Sequence, residues 1–369
     1  MIATIALLAW VYLLFAHGRF WQSGPDLAPA MPSAAPDIAV VVPARDEAAH
    51  IEASIGSLLA QEYAGRVQIV LVDDGSTDGT ARIAAALPGA GRLTIISGTP
   101  RPPGWAGKLW AVAQGVAATD APILLLTDAD IAHDPRHLAT LVAHMERTDC
   151  DMVSEMVALA CETPAERALI PGFVYFFQLL YPFAKVNDPL STVAGAAGGV
   201  VLIRRRALDR IGGIASIQGA LIDDCALAVQ VKRGGRIWLG HSGLARSIRP
   251  YPAFADIWRM IARSAYVQLR TSPLLLAGCI FGLTLVFLVP PFAALFGGGW
   301  ARIAGLLAWV GMALSFLPTL QRYRRSPAWA LALPLIAAFY IAATIGSAID
   351  HHRGRGVVWK RRAYPGGTQ

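Results

Sequence analysis

Charged residues are scarce in this chain of 369 residues: they make up only 15% of it, whereas hydrophobic residues make up 55%. Soluble domains have about 25% charged and about 45–50% apolar residues, so this composition excludes an ordinary soluble protein as well as a disordered one. Cysteine is also rare. The spacing of Cys150, Cys161, Cys225 and Cys279 fits neither a disulfide framework nor a metal-binding motif, which favours a reducing, cytoplasmic environment.

Several common motifs are missing as well. No Gly-x-Gly-x-x-Gly follows the first apolar run, and the sequence has no Walker A motif and no Gly-x-Ser-x-Gly turn, which excludes the usual dinucleotide, P-loop and serine-hydrolase sites. Residues 74–79 resemble the start of an EF-hand loop. However, Ala85 stands where that loop requires a bidentate glutamate, so the segment is not a calcium site.

Acidic residues are almost absent from the most hydrophobic part of the chain. Residues 271–369 contain nine Lys and Arg but one acid, Asp350, whereas residues 31–270 contain 22 basic and 23 acidic residues. The net charge of +7 therefore arises in the C-terminal region and does not indicate a nucleic-acid partner. Basic residues beside apolar segments mark the cytoplasmic loops of membrane proteins. We therefore predict a membrane protein.

The apolar segments predict where the chain meets the membrane. Residues 1–22 form an N-terminal anchor, because the first basic residue, Arg19, follows the apolar run instead of preceding it as in a cleaved signal peptide. Three more apolar segments make up a transmembrane region at 271–350, and a basic cytoplasmic tail follows at 351–369. The basic clusters favour an even number of crossings among these three, and the segment with Pro290-Pro291 is the candidate that does not cross fully.

A linker rich in Pro and Ala at 23–36 precedes a domain at 37–270 in which apolar runs alternate with helical periodicity. This alternation predicts an α/β fold with a Rossmann-like, mainly parallel sheet. The predicted strands cover residues 38–42, 67–72, 93–96 and 123–126. Acidic residues follow the second and fourth strands, and ligands of such sheets bind outside the carboxyl ends of the strands.

Asp128 and Asp130 lie two residues apart just past a predicted buried strand. Paired carboxylates suit Mg²⁺ or Mn²⁺, although an aspartate before a helix can equally serve as its N-cap. A second acidic pair, Asp73-Asp74, favours a site, because two such clusters repel each other unless a cation or ligand donors neutralise them.

Four blocks occur in order: residues 41–47, residues 72–80, Asp128-Ala129-Asp130 and Asp223-Asp224. Together, over about residues 37–265, they resemble the signature blocks of family 2 glycosyltransferases of the GT-A fold. Gly104-Trp105-Ala106-Gly107-Lys108 and the segment 359–364 further resemble a membrane-bound subgroup associated with hopanoid lipids.

The resemblance implies a role for each matching residue. Asp224 would be the catalytic base, with Asp223 standing where the family has glutamate. Asp130 would bind the divalent ion, Asp128 the ribose or the metal, and Lys108 the diphosphate unless it is simply a solvated lysine. The remaining residues would surround the nucleotide: Pro43, Ala44, Arg45, Glu47, Asp73 and Asp74.

These roles predict transfer of one sugar from a nucleotide-sugar, expected to be a UDP-sugar, to a lipid such as a hopanoid at the cytoplasmic face of the inner membrane. The Gln-x-x-Arg-Trp block of processive members is absent, and residues 258–263 stand in its place. Two alternatives are a polyprenyl-phosphate sugar transferase and a non-catalytic membrane scaffold. The aromatic stretch 173–183 is either hydrophobic core or an interfacial helix beside the acceptor.

Overall fold

The computed structural model describes residues 1–353, 358–359 and 362–363. Eight strands form one sheet in the order β3-β2-β1-β4-β7-β6-β8-β5. The strands are β1 (Ile38–Ala44), β2 (Val67–Asp73), β3 (Leu93–Ser97), β4 (Ile123–Thr127), β5 (Ile131–His133), β6 (Met152–Ala158), β7 (Val200–Arg204) and β8 (Ile237–Ser247). Two short strands, β9 (Val358–Trp359) and β10 (Arg362–Ala363), pair separately.

Fifteen α-helices are present in the described part of the chain. They are α1 (Ile2–Phe15), α2 (Ile51–Leu59), α3 (Thr80–Ala85), α4 (Gly107–Ala117), α5 (His137–Thr148), α6 (Pro164–Leu180), α7 (Phe183–Asn187), α8 (Arg205–Arg210), α9 (Asp223–Lys232), α10 (Phe254–Ala262), α11 (Ala265–Gln268), α12 (Pro273–Leu283), α13 (Val289–Phe296), α14 (Gly299–Arg322) and α15 (Leu333–His352).

The first half of the sheet is parallel and deeply buried. All seven positions of β1 are buried, as a strand covered on both faces requires, and β1 pairs in parallel with β2 and β4. Helix α4 packs closely on these strands because Gly115 has no side chain: a Cβ there would lie 2.4 Å from Cγ1 of Val41. The carboxyl ends of β1, β2 and β4 therefore meet at one edge, as the sequence predicts.

Pro43 and Ala44 belong to β1 and not to the loop that the sequence predicts. Their partners in β2 are Val72 and Asp73. Pairing with β4 already ends at Val41, so a proline, which has no N–H to donate, is tolerated at the end of this strand.

The other half of the sheet is mixed. β7 runs antiparallel to β4 and β6, β5 runs antiparallel to β8, and β6 and β8 are parallel. The predicted α/β class with a mostly parallel sheet is confirmed. The turn between β4 and β5 contains Asp128 and Asp130, and β7 begins beside it with Val200 paired to Thr127.

Contacts divide the chain into two compact units. The sheet unit contains residues 25–160 and 185–250, and the helical unit contains residues 1–24, 161–184 and 251–353. The two units do not coincide with the domains predicted from the sequence, at 37–270 and 271–350. The units are defined by contacts between residues, so the domain boundaries stay a prediction.

In the helical unit, three stretches are long and apolar enough to cross a membrane: Pro273–Phe296, Gly299–Arg322 and Pro327–His352. Helix α1 is apolar but shorter. Large apolar side chains on these helices are exposed, including Leu274 at 81% and Leu335 at 76%, which is costly in water. These observations support association with a membrane.

The Pro290-Pro291 segment is interrupted, as the prolines predict, by a π-helical turn at Thr284–Leu288 between α12 and α13. Pro290 has no N–H to give the carbonyl of Val286, four residues earlier. The indole of Trp10 on α1 supplies the donor instead, with Nε1 2.7 Å from that carbonyl oxygen. The N-terminal helix is thus tied to the proline break within the helical unit.

Residues 173–180 of the aromatic stretch form the C-terminal part of α6. Tyr175 is completely buried, and its hydroxyl lies 2.7 Å from Oγ of Ser315 on α14. Phe176 stacks against Tyr340 on α15, with ring centroids 4.8 Å apart. Of the two interpretations of this stretch, the packing inside the helical unit favours core for Tyr175.

Candidate functional site

Lys108 lies between two of the predicted acidic residues. It occupies the first turn of α4, where the N–H of Ala106 donates to the carbonyl of Gln218 at 2.7 Å and so fixes the start of the helix. Its Nζ is 2.8 Å from Oδ1 of Asp128 and 3.1 Å from Oδ2 of Asp223. Burial opposes the charge, but the two carboxylates raise the pKa of Lys108 above its ordinary value, so the ammonium stays protonated. Its side chain is 22% exposed, so a freely solvated lysine does not describe it.

Asp223 and Asp224 are the first two residues of α9, where carboxylates are favoured by the positive end of the helix dipole. Oδ1 of Asp224 accepts a hydrogen bond from the N–H of Cys225 at 2.7 Å. A Cβ on Gly198 would lie 3.2 Å from Oδ2 of Asp224, so the glycine leaves room for this carboxylate. Burial and the neighbouring Asp223 raise the pKa of Asp224 to about 7.

A pocket joins these residues. Pro43, Lys108, Asp128, Asp223 and Asp224 line it together with apolar side chains from α4, β4, β7 and α9. Burial raises the pKa of Asp128, an effect that Lys108 counteracts and that the nearby Asp130 reinforces. The pocket therefore contains three carboxylates around one ammonium, and one of these carboxylates, Asp224, is set to accept a proton near neutral pH.

A second group of predicted residues lies at the carboxyl ends of β1 and β2, and we call residues 45–48 and 73–80 the rim. The guanidinium of Arg45 donates to the carbonyl of Asp74 at 2.8 Å. Asp73 Oδ1 accepts from the N–H of Ser76 at 3.1 Å and from its hydroxyl, which places Asp73 inside the turn, and the hydroxyl of Ser76 accepts from the N–H of Asp46 at 3.0 Å.

Arg249 is a residue of the site that the sequence did not reveal. Its Nη2 lies 2.7 and 2.8 Å from the two carboxylate oxygens of Glu47, and its Nε lies 2.5 Å from Oδ2 of Asp130. Arg249 follows the end of β8 by two residues, so the available signal was a basic residue at a strand end. We call the set Lys108, Asp128, Asp130, Asp223, Asp224 and Arg249 the charged centre.

Residues 258–263, which stand in place of the Gln-x-x-Arg-Trp block, belong to the helical unit. Arg259 pairs with Asp256 within α10, and Arg263 ends that helix in the helical unit. His241 is buried in β8. Among the described residues, no three His, Cys, Asp or Glu side chains converge to hold a metal ion, so Asp128 and Asp130 would need further ligands from a substrate. Residues 360, 361 and 364 of the segment 359–364 lie outside the described residues.

Residues 39–212 match the profile of the family described as "Glycosyl transferase family 2". These residues belong to glycosyl transferase family 2. The predicted family is therefore confirmed for this part of the chain, which includes the rim, Lys108, Asp128 and Asp130. The match ends before Asp223 and Asp224, whose roles stay predictions.

Two relatives are similar in sequence. The succinoglycan biosynthesis protein ExoU of Rhizobium meliloti is 32% identical over 190 residues, which are 49% of this chain and 53% of that protein. The beta-monoglucosyldiacylglycerol synthase of a Nostoc species is 26% identical over 203 residues, which are 54% of this chain and 41% of that protein. The chain thus spans about half or less of the length of these relatives.

One solved structure is similar over nearly all of the chain. It is a mannosyltransferase from Pyrobaculum calidifontis in complex with GDP-Man and Mn²⁺, with 21% identity, a TM-score of 0.56, and coverage of 94% of this chain and 99% of that one. At this identity the likeness establishes the GT-A fold, which confirms the predicted fold class. The narrower resemblance to hopanoid-associated members stays a prediction.

Proposed function

We propose that this protein is a membrane-bound, inverting glycosyltransferase that moves one sugar from a nucleotide-sugar to a hydroxyl group of a lipid. The observation that carries the proposal is the pocket in which Asp224, its pKa raised to about 7, lies beside the Lys108–Asp128–Asp223 cluster. A base and a fixed cation around one cavity are what displacement of a nucleoside diphosphate requires.

The rim and the last two residues of β1 are assigned to the nucleotide. Pro43, Ala44, Arg45 and Glu47 would surround its base and ribose, and Asp74 would accept a hydrogen bond from the base. Asp73 holds the turn that presents Asp74, since it binds both the N–H and the hydroxyl of Ser76. By family resemblance we expect the donor to be a UDP-sugar.

A divalent cation suits the turn that bears Asp128 and Asp130. Two carboxylates, Asp128 and Asp130, lie in the one short turn between β4 and β5, where burial and the charge of Asp130 raise the pKa of Asp128. A divalent ion would offset this accumulation of negative charge. Asp130 and Asp128 would hold Mg²⁺ or Mn²⁺, with the donor diphosphate completing its shell. When bound, the ion offsets negative charge on the leaving diphosphate.

In the transfer itself, the acceptor oxygen forms a bond to the anomeric carbon while the bond from that carbon to the diphosphate oxygen breaks. The hydroxyl proton passes to the carboxylate of Asp224, whose pKa near 7 suits a base at neutral pH. The ammonium of Lys108, fixed by Asp128 and Asp223, lies where it can compensate the charge of the departing diphosphate. No covalent enzyme intermediate is needed.

The helical unit supports a lipid acceptor. Its three membrane-length helices and exposed apolar side chains would hold the protein in the bilayer in which such an acceptor resides. The Nostoc relative is named for a product of diacylglycerol glucosylation, which supports the same acceptor class. We propose a terpenoid lipid such as a hopanoid as acceptor, with the sheet unit at the cytoplasmic face of the inner membrane.

The proposal is tested by lipid mass spectrometry on cells lacking the gene, complemented either with wild-type protein or with the Asp224→Asn variant. We expect one glycolipid to disappear in the deletion strain, return with wild-type protein and stay absent with the variant. Membranes supplied with labelled UDP-glucose, UDP-GlcNAc or GDP-mannose then identify the donor. Label in a polyprenyl phosphate, retained by Asp224→Asn, would instead indicate the phosphate-transferase alternative, because a phosphate nucleophile needs no strong base. Absence of transfer from every donor would favour the non-catalytic scaffold.

A further inference from the structure

A chain of buried polar side chains lies behind the turn that bears Asp128 and Asp130. Thr127 ends β4 just before this turn and His133 ends β5 just after it, and Nε2 of His133 is 3.2 Å from Oγ1 of Thr127. Nδ1 of His133 is 2.9 Å from Nδ1 of His137, whose Nε2 is 2.8 Å from Oε1 of Glu155 on β6. The side chains of His137 and Glu155 are completely buried.

The direction of each hydrogen bond in this chain follows from counting protons. The hydroxyl of Thr127 donates its one hydrogen to the carbonyl of Gly199 at 2.7 Å, so it must accept from Nε2–H of His133. Burial lowers the pKa of His133 well below its ordinary value, so the ring is neutral and its Nδ1 accepts. His137 therefore donates from Nδ1, while its Nε2 faces Oε1 of Glu155 at 2.8 Å.

This chain connects the turn that bears Asp128 and Asp130 to the Gly198–Gly199 segment, which lies beside Asp224. The hydrogen bond from His133 to Thr127 closes the ends of the turn that bears Asp128 and Asp130. Thr127 in turn binds Gly199, the neighbour of the Gly198 whose missing side chain leaves room for Asp224. The N–H of His133 also donates to Oγ of Ser57 at 3.0 Å, which fixes β5 to α2.

We propose that Thr127, His133, His137 and Glu155 are positioning residues that hold the turn of Asp128 and Asp130 in register with the Gly198–Gly199 segment. None of the four touches a reacting atom in the proposed mechanism. Burying a histidine pair and a carboxylate is costly, and pairing these groups with one another offsets part of that cost. The proposal rests on the proposed function for what the turn does, but not for how the turn is held.

The test compares His133→Phe, which removes both hydrogen bonds, with His133→Gln, whose amide can donate where Nε2–H does. Thr127→Val and Thr127→Ser form a second matched pair that removes or keeps the hydroxyl. His144→Gln is the control, since His144 is also a buried histidine of the sheet unit but its ring contacts Arg147 and Trp238 instead. Each full-length variant is purified in detergent, and its Tm is recorded to measure general destabilisation.

Mn²⁺ alone is titrated by electron paramagnetic resonance, kcat and KM are measured, and deuterium exchange is followed over residues 127–133. We expect His133→Phe and Thr127→Val each to weaken Mn²⁺ binding and lower kcat roughly tenfold, with faster exchange in the turn. His133→Gln and Thr127→Ser should retain most of the wild-type Mn²⁺ affinity and kcat. The double variant His133→Phe/Thr127→Val should lose no more Mn²⁺ affinity or kcat than either single variant, because both substitutions remove the same His133–Thr127 hydrogen bond.

Unchanged Mn²⁺ affinity, kcat and exchange in His133→Phe and Thr127→Val would overturn the proposal, as would equal losses in His144→Gln. If His133→Phe fails to fold, the comparison of Thr127→Val with Thr127→Ser tests the proposal instead. If wild-type protein transfers no sugar, the proposed function fails, while exchange over residues 127–133 still tests the positioning role by itself.

Discussion

The rim and the charged centre neutralise their carboxylates in different ways. In the rim, Asp46, Asp73 and Asp78 accept hydrogen bonds from backbone N–H groups and hydroxyls of the same two loops, and Glu47, which pairs with Arg249, is an exception. In the charged centre, Asp128, Asp130 and Asp223 depend on the side chains of two distant cations, Lys108 and Arg249. Backbone donors are fixed by the fold, whereas long cationic side chains can exchange partners when a ligand arrives.

The difference extends to protonation. Although burial opposes it, hydrogen bonds from Thr80 and from the N–H of Ala48 lower the pKa of Asp78, so this rim acid stays ionised. Burial and Asp223 raise the pKa of Asp224 to about 7. The rim is thus built to bind without changing its charge, and the charged centre is built to take up a proton.

Asp224→Asn should have the largest effect, because it removes the base while keeping the shape of the side chain. We expect kcat to fall by roughly 10²–10⁴-fold while nucleotide binding is retained. Steady-state rates and binding of UDP measured by calorimetry check this. The matched control, Asp78→Asn, changes the same group in the rim and should leave kcat within a few fold. Normal turnover in Asp224→Asn would remove Asp224 from the mechanism.

Lys108→Met should have the next largest effect, since methionine keeps most of the side-chain length without the charge. Asp128 and Asp223 would then face each other without the ammonium between them. We expect kcat to fall roughly 10²–10³-fold. The remaining rate should depend more strongly on the concentration of added Mn²⁺, because the ion becomes the remaining source of positive charge. Lys108→Arg is the control that keeps the charge. If Lys108→Met and the wild type have equal rates, the lysine serves only packing.

The contrast between the two regions also explains what sequence could predict. Long buried runs such as 38–44 and strand-end acids are local signals, so the sheet, Asp73-Asp74 and Asp128-Ala129-Asp130 could be placed. Arg249 could not, because its partner Asp130 lies 119 residues away and nothing local distinguishes it from a surface arginine. Sequence also could not separate core from interface for α6, since aromatic residues suit both.

The same reasoning applies to the buried histidines. His133 and His137 are spaced as on one surface of a helix, but His133 ends a strand and the partner of His137 is Glu155 on another strand. Which polar residues become buried depends on how strands are ordered in the sheet, here β4-β7-β6. That order joins residues far apart in sequence, and neither periodicity nor composition encodes it locally.

The pH dependence of the rate should reflect the raised pKa of Asp224. Below about pH 7 the carboxyl is protonated and cannot accept the hydroxyl proton, so kcat should fall about tenfold for each unit by which the pH is lowered.

The free energy of unfolding should depend on pH in the opposite direction to the rate. Because the folded state holds the proton more tightly than the unfolded chain, whose pKa is about 3.8, stability should decrease as pH rises from about 4 to 7. Measurements of kcat and of Tm over pH 5–9, with Asp224→Asn as the reference, test the direction of both pH dependences. A flat rate profile would contradict the assignment.

Ser76→Ala should have the smallest effect and tests the rim directly. The hydroxyl of Ser76 accepts from the N–H of Asp46 and donates to Asp73, so it joins the loops after β1 and β2. Loss of these hydrogen bonds should cost about 1–2 kcal/mol and lower Tm by about 2–4 °C. If the rim only binds the nucleotide, KM for the donor should rise a few fold while kcat stays unchanged. Thr77→Val is the control, since the N–H that binds Asp46 at 2.9 Å remains in that variant. A fall in kcat at constant KM for Ser76→Ala would mean that the rim also positions the charged centre, and the division between a binding region and a reacting region would not hold.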